Sequence, residues 1–125
     1  MTIDNTGAGS LEVSVAHHAT TIVLSVRGEV DLVTAPQLTE SIDAVLAEHA
    51  PTALVIDLTD VPFLASVGMT VLLDASRQVT GTTGFAVVAD GPTTARPLTL
   101  LGLDQEMTLY TDLDAALSAL SPAEQ

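Results

Sequence analysis

Residues 57–76 read DLTDVPFLASVGMTVLLDAS, and the parsing of this stretch decides the fold. The run just before it, Leu54-Val55-Ile56, is apolar on both faces, as expected of a central strand covered from both sides. It ends in acidic, turn-forming residues at Asp57 and Asp60. The chain then emerges through Pro62-Phe63-Leu64, and a helix should begin at Ser66 and run through Met69, Val71, Leu72 and Leu73 to about Val79. A helix start has unpaired N–H groups and a partial positive charge, which favour an oxygen cap or a phosphate. Ser66 therefore has two readings, as a simple helix cap or as a site where a phosphate can sit.

Working outward, Leu11, Val13 and Val15 alternate with polar neighbours and predict an edge strand. Ile22, Leu24 and Val26 predict a second strand, paired with the first as a hairpin through a turn at His17-His18-Ala19-Thr20. Thr34 and Gln37 have capping-box spacing at the start of a helix, with Pro36 in its first turn and Leu38, Ile42, Val45 and Leu46 as the core-facing stripe. After the 57–76 stretch, Phe85 to Ala89 predicts another apolar strand. Thr93 to Leu101 predicts a weaker helix, with Pro97 awkward inside it and Gly102 as its stop. Met107 and Leu109 suggest a last short strand, and Leu113, Leu117 and Leu120 line a terminal helix capped by Thr111 or Asp112. Strand–helix–strand units at this spacing imply an α/β fold: a single mixed, mostly parallel sheet of four to five strands with about four helices and an N-terminal hairpin. Residues 1–10 read as a flexible leader, 11–120 as one domain and 121–125 as a short tail. Sites in such sheets cluster at the carboxyl ends of strands, where Ser66 falls.

Composition removes whole classes of function. Three arginines and no lysine stand against 16 acidic residues, for a net charge of −13. No basic patch for nucleic acid or an anionic membrane can be built from them. With Phe63, Phe85 and Tyr110 as the only aromatics, there is also no platform for base stacking. The absence of cysteine rules out disulfides, thiol catalysis and Cys-based zinc sites. The N-terminal ten residues lack the basic and apolar regions of a signal peptide, and no apolar run is long enough to span a membrane. The expected location is the cytoplasm.

Catalytic sets fail on inspection. Ala65-Ser66-Val67-Gly68 resembles a nucleophile elbow, but Leu64 stands where that motif needs its first glycine, and no histidine is placed to serve the serine. His17 and His18 are adjacent on a strand, so their side chains leave on opposite faces and suit a turn better than a metal. Asp57 and Asp60 lack a third carboxylate for a cation. No enzyme, cofactor or metal is expected.

Two segments together resemble the STAS domain family, named for sulfate transporters and anti-sigma factor antagonists. Gly28-Glu-Val-Asp31 followed by Thr34-Ala-Pro-Gln-Leu38 is similar to the family's G-E-[LV]-D-x-x-[TN]-A-x-x-L signature. Asp57 to Met69 is similar to its D-L-x-x-V-x-F-[ILM]-D-S-[ST]-G-[LM] segment. The likeness extends over about residues 11–120, including a late Gly102-Leu103. It implies a stand-alone anti-sigma factor antagonist that binds an anti-sigma factor, often itself a serine kinase. Phosphorylation of a serine switches that binding off and a phosphatase restores it. The serine falls on Ser66, and the implied partner surface comprises Asp31, Thr34, Ala65, Ser66, Val67 and Gly68. The chain departs from the pattern at Ala65 and Val67, where the family has Asp and Ser or Thr. These changes make the helix start (Leu64, Ala65, Val67, Met69) more apolar, although Met69 reads better as core. The alternative function on the same fold is a small-molecule or nucleotide-sensing module.

Overall fold

The computed structural model describes residues 11–79, 81 and 83–120; the expected leader and tail lie outside these residues. In chain order the elements are β1 (Glu12–His18), β2 (Thr21–Arg27), α1 (Ala35–His49), β3 (Ala53–Asp60), α2 (Ser66–Val79), β4 (Gly84–Val88), α3 (Ala95–Leu100), β5 (Thr108–Tyr110) and α4 (Leu113–Leu120). The strands lie side by side in the order β1-β2-β3-β4-β5. β1 and β2 form the antiparallel hairpin, and every later pair is parallel. This is the mixed α/β sheet that the sequence implies, at the upper end of the expected strand number.

Period-two alternation in the central strands sends side chains to two cores. Ile22, Leu24, Val26, Leu54, Ile56 and Leu58 pack with Leu38, Ile42 and Val45 of α1 and with Met69, Leu72 and Ala75 of α2. Val23, Val55, Ala86 and Val88 face the other way, against Ala116 and its neighbours on α4. The sheet is therefore covered on both faces, which explains why β3 has no polar–apolar alternation until Asp57. Full burial of each such aliphatic side chain contributes about 1.5–3 kcal/mol.

Three local expectations are corrected. His17 and His18 belong to β1, paired with Ile22 and Thr21, so the turn is Ala19-Thr20 alone. The His17 ring instead meets His49 at the end of α1, edge to face, with centroids 5.0 Å apart. The third helix begins at Ala95, two residues later than expected. This puts Pro97 in the first turn, where no N–H is needed. The capping box also lies one turn earlier than Thr34–Gln37. Asp31 Oδ1 accepts the Val33 and Thr34 N–H groups, both at 3.0 Å, and the Thr34 hydroxyl accepts the Asp31 N–H at 2.9 Å. Asp and Thr both cap well, and spacing alone did not rank the two candidate boxes. Of the two caps considered for α4, Asp112 serves, accepting the Ala115 N–H at 2.8 Å.

Candidate functional site

Because β2, β3 and β4 are parallel, the loops that follow them emerge at one end of the sheet. The first two are joined directly. Val30 N–H donates to the Phe63 carbonyl at 2.9 Å, and Ala65 N–H donates to the Val30 carbonyl at 2.8 Å. Val30 and Leu64 thereby form an isolated parallel bridge beyond the ends of the strands. Both side chains of that bridge are buried. The result is that Asp31 and the Ala65-Ser66 pair, more than thirty residues apart in sequence, leave the same bridge.

Ser66 is the first residue of α2 and is exposed. Ala65 occupies the cap position, its carbonyl accepting the Gly68 and Met69 N–H groups at 2.9 and 3.1 Å. The Ser66 hydroxyl makes no hydrogen bond among the described residues, so the simple-cap reading does not hold. An exposed hydroxyl with no internal partner, at the positive end of a 14-residue helix, is chemically free to accept a group from outside.

The other residues of the expected surface divide by exposure. Asp31, Ala65 and Val67 are half-buried and border Ser66. Thr34 is 1% exposed, and its hydroxyl also donates to the Glu29 carbonyl at 2.7 Å, so it shapes the loop from inside. Gly68 is buried too. A Cβ there would lie 2.5 Å from Val30 Cγ1 and 2.8 Å from Leu64 Cδ1, so the close approach is that of α2 to the bridge. Leu64 is buried and leaves the apolar patch expected at the helix start, and Met69 is buried, as its reading as core requires. Three residues that the sequence reading did not select take their place: Leu32, Val33 and Phe63 are 77%, 66% and 51% exposed. A signal for the first two exists in the chain. They lie between Asp31 and Thr34, and when both ends of a capping box turn inward the residues between them face solvent. Negative charge accompanies this apolar group in the same two loops, at Glu29, Asp31 and Asp60, of which Glu29 and Asp60 are exposed. Arg27, at the end of β2, is held between Glu12 at 3.9 Å and Asp60 at 4.0 Å. Those ion pairs are largely exposed and contribute little to stability.

Thr34→Val tests the internal role of the hydroxyl. The isosteric change orphans the Asp31 N–H and the Glu29 carbonyl, and should lower unfolding stability by about 1–3 kcal/mol. Chemical denaturation reads this directly; an unchanged midpoint would remove Thr34 as a structural element of the loop.

Residues 12–116 match the family model described as the STAS domain. The chain belongs to the STAS domain family. It is 46% identical over 111 residues to the anti-sigma-F factor antagonist RsfB of Mycobacterium tuberculosis, covering 89% of this chain and 90% of that protein. It also resembles the crystal structure of an anti-sigma factor antagonist from Mycobacterium paratuberculosis, with 47% identity and a TM-score of 0.86 over 91% of this chain and 97% of that one. The fold, at 19% identity and a TM-score of 0.63, is that of the Bacillus cell fate determinant SpoIIAA in its phosphorylated form, over 88% of this chain and all of that one (100%). Among the described residues, no helix is long and apolar enough to cross a membrane, and no group of three or more His, Cys, Asp or Glu could hold a metal ion.

Proposed function

We propose that the chain is an anti-sigma factor antagonist that works in the cytoplasm by binding and carries out no chemistry of its own. In the unmodified state, the two bridged loops dock on an anti-sigma factor and release the sigma factor it holds. The contact is apolar at its centre (Leu32, Val33 and Phe63, with Ala65 and Val67) and acidic at its border. That pattern fits a partner surface with an apolar recess and a basic rim. The partner is a serine kinase that modifies Ser66 to end the interaction, and a phosphatase resets it. The observation that carries this reading is the Val30–Leu64 bridge, which makes one surface from the two motifs and leaves the Ser66 hydroxyl exposed within it.

The direct test is to incubate the purified protein with ATP and the anti-sigma factors of its own cell. Label should appear on Ser66 and should accompany loss of complex on a sizing column. A stable complex with label elsewhere, or no complex with any of them, would overturn the proposal. Ser66→Ala should remain bound under the same conditions. Its stability should stay within about 0.5 kcal/mol of wild type, because an exposed hydroxyl with no partner is removed. A loss nearer the ~1 kcal/mol typical of a missing cap would restore the capping role.

A further inference from the structure

A second exposed apolar pair lies on α3. Leu98 is fully buried and anchors the helix, whereas Leu100 and Leu101 at its end are 69% and 61% exposed. Gly102 follows in the left-handed region, φ 76°, and ends the helix there. Leu103 packs back against the core, leaving the two leucines outside. Beside them runs an open groove of about 470 Å³, lined by Gly91, Pro92, Ala95, Arg96, Thr99 and Leu100. Its lining is mostly apolar, with Thr99 polar and Arg96 the one charged residue. Of the three arginines, Arg27 and Arg77 each face a carboxylate, and Arg96 faces none among the described residues. In a chain of net charge −13, Arg96 marks a local reversal of sign. The groove is also tied to the site described above: the Thr93 hydroxyl, in the loop that enters α3, donates to the Val61 carbonyl at 3.2 Å, two residues before Phe63.

We propose that the α3 groove is a second contact for the anti-sigma factor, receiving a segment that presents an aliphatic side chain next to a carboxylate. This rests on the antagonist reading given above. The aliphatic group fills the recess beside Leu100, and the carboxylate pairs with Arg96. Such an acidic group is repelled by most of this surface and is accepted at one place, so it fixes the orientation of the partner more than it adds attraction. A second copy of this chain does not fit. A symmetric contact through α3 would bring together two bodies of charge −13 around a single arginine on each side.

The test compares wild type, Leu100→Asp, Arg96→Glu and Phe63→Asp, as full-length proteins, by calorimetry against the purified anti-sigma factor. Leu100→Asp and Arg96→Glu should each bind roughly tenfold more weakly or worse, with melting temperatures unchanged because both side chains are exposed. Wild-type affinity in both variants overturns the α3 contact, whatever Phe63→Asp does. Weaker binding by both α3 variants with none by Phe63→Asp keeps α3 and removes Phe63 from the site. If wild type itself binds no anti-sigma factor, the antagonist reading falls and the α3 contact falls with it.

Discussion

Phosphorylated at Ser66, the protein should bind an anti-sigma factor at least a hundredfold more weakly than the unmodified form and should melt at the same temperature. The two halves of this expectation have separate physical causes. The added group carries roughly −1.5 to −2 charges at neutral pH. Ser66 is exposed and opens α2, where the helix dipole favours negative charge by about 0.3–1 kcal/mol, so the folded state tolerates it. At the proposed interface the same charge would have to lose its water among Phe63, Ala65 and Val67. Asp31 borders it, and Arg27 is already engaged with Glu12 and Asp60. An unpaired buried charge costs about 3–5 kcal/mol, which corresponds to more than a hundredfold in affinity. Ser66→Glu brings less charge and should show a smaller loss of the same kind. Calorimetry of the three forms, with melting curves alongside, separates the outcomes. Equal affinity in all three would take Ser66 out of the interface, and a collapsed melting temperature in the phosphorylated form would make the switch one of unfolding.

Gly68→Ala should destabilise the fold by about 1–3 kcal/mol, even though alanine is the better helix former by about 1 kcal/mol. The new methyl would sit 2.5 Å from Val30 Cγ1, on a β-branched, fully buried side chain that has little rotamer freedom. Relief requires α2 to move away from the bridge. The same movement pulls Ala65 from the Val30 carbonyl and spreads the two loops, so partner affinity should fall along with stability. A compensating change distinguishes this from a general helix effect. Val30→Ala opens the space, and the double variant Gly68→Ala/Val30→Ala should be less destabilised than the sum of its parts. Strict additivity in urea denaturation would show that the two residues do not press on one another.

The architecture was legible because the strands and helices carry distinct apolar patterns, alternating in the hairpin and continuous in the covered strands. The apolar run at 54–56, the stripe of α1 and the strand–helix alternation leave few topologies open, and the position of Ser66 after a central strand followed from them. What the chain did not show is which way the residues around Ser66 face. Met69 reads as core and is core, but Leu64 looks like surface at the start of a helix and turns inward because α2 closes on Val30, a contact decided by Gly68 across the fold. Thr34 looked like surface for a related reason. Its burial depends on a capping box that Asp31 forms in preference to Gln37, and the two choices are nearly equal in local energy. Phe63 was not selected at all: the backbone pairing of residues 63–65 with Val30 sends Leu64 inward and leaves Phe63 half in solvent, which no local pattern announces.

The Val30–Leu64 bridge also bears on the entropy of recognition. Two loops that were free to move independently would both have to be ordered as the complex forms, at about 0.5–1.5 kcal/mol for each rotamer-rich side chain immobilised, besides the backbone. Here the backbone of both loops is already fixed by three hydrogen bonds between neighbouring segments: Gly28 to Asp60, Val30 to Phe63 and Ala65 to Val30. Association then resembles the meeting of two rigid bodies. Its heat-capacity change should reflect the apolar area covered and no folding of loops. Its rate should be governed by electrostatic steering from the charge of −13, and so should fall steeply as salt is added.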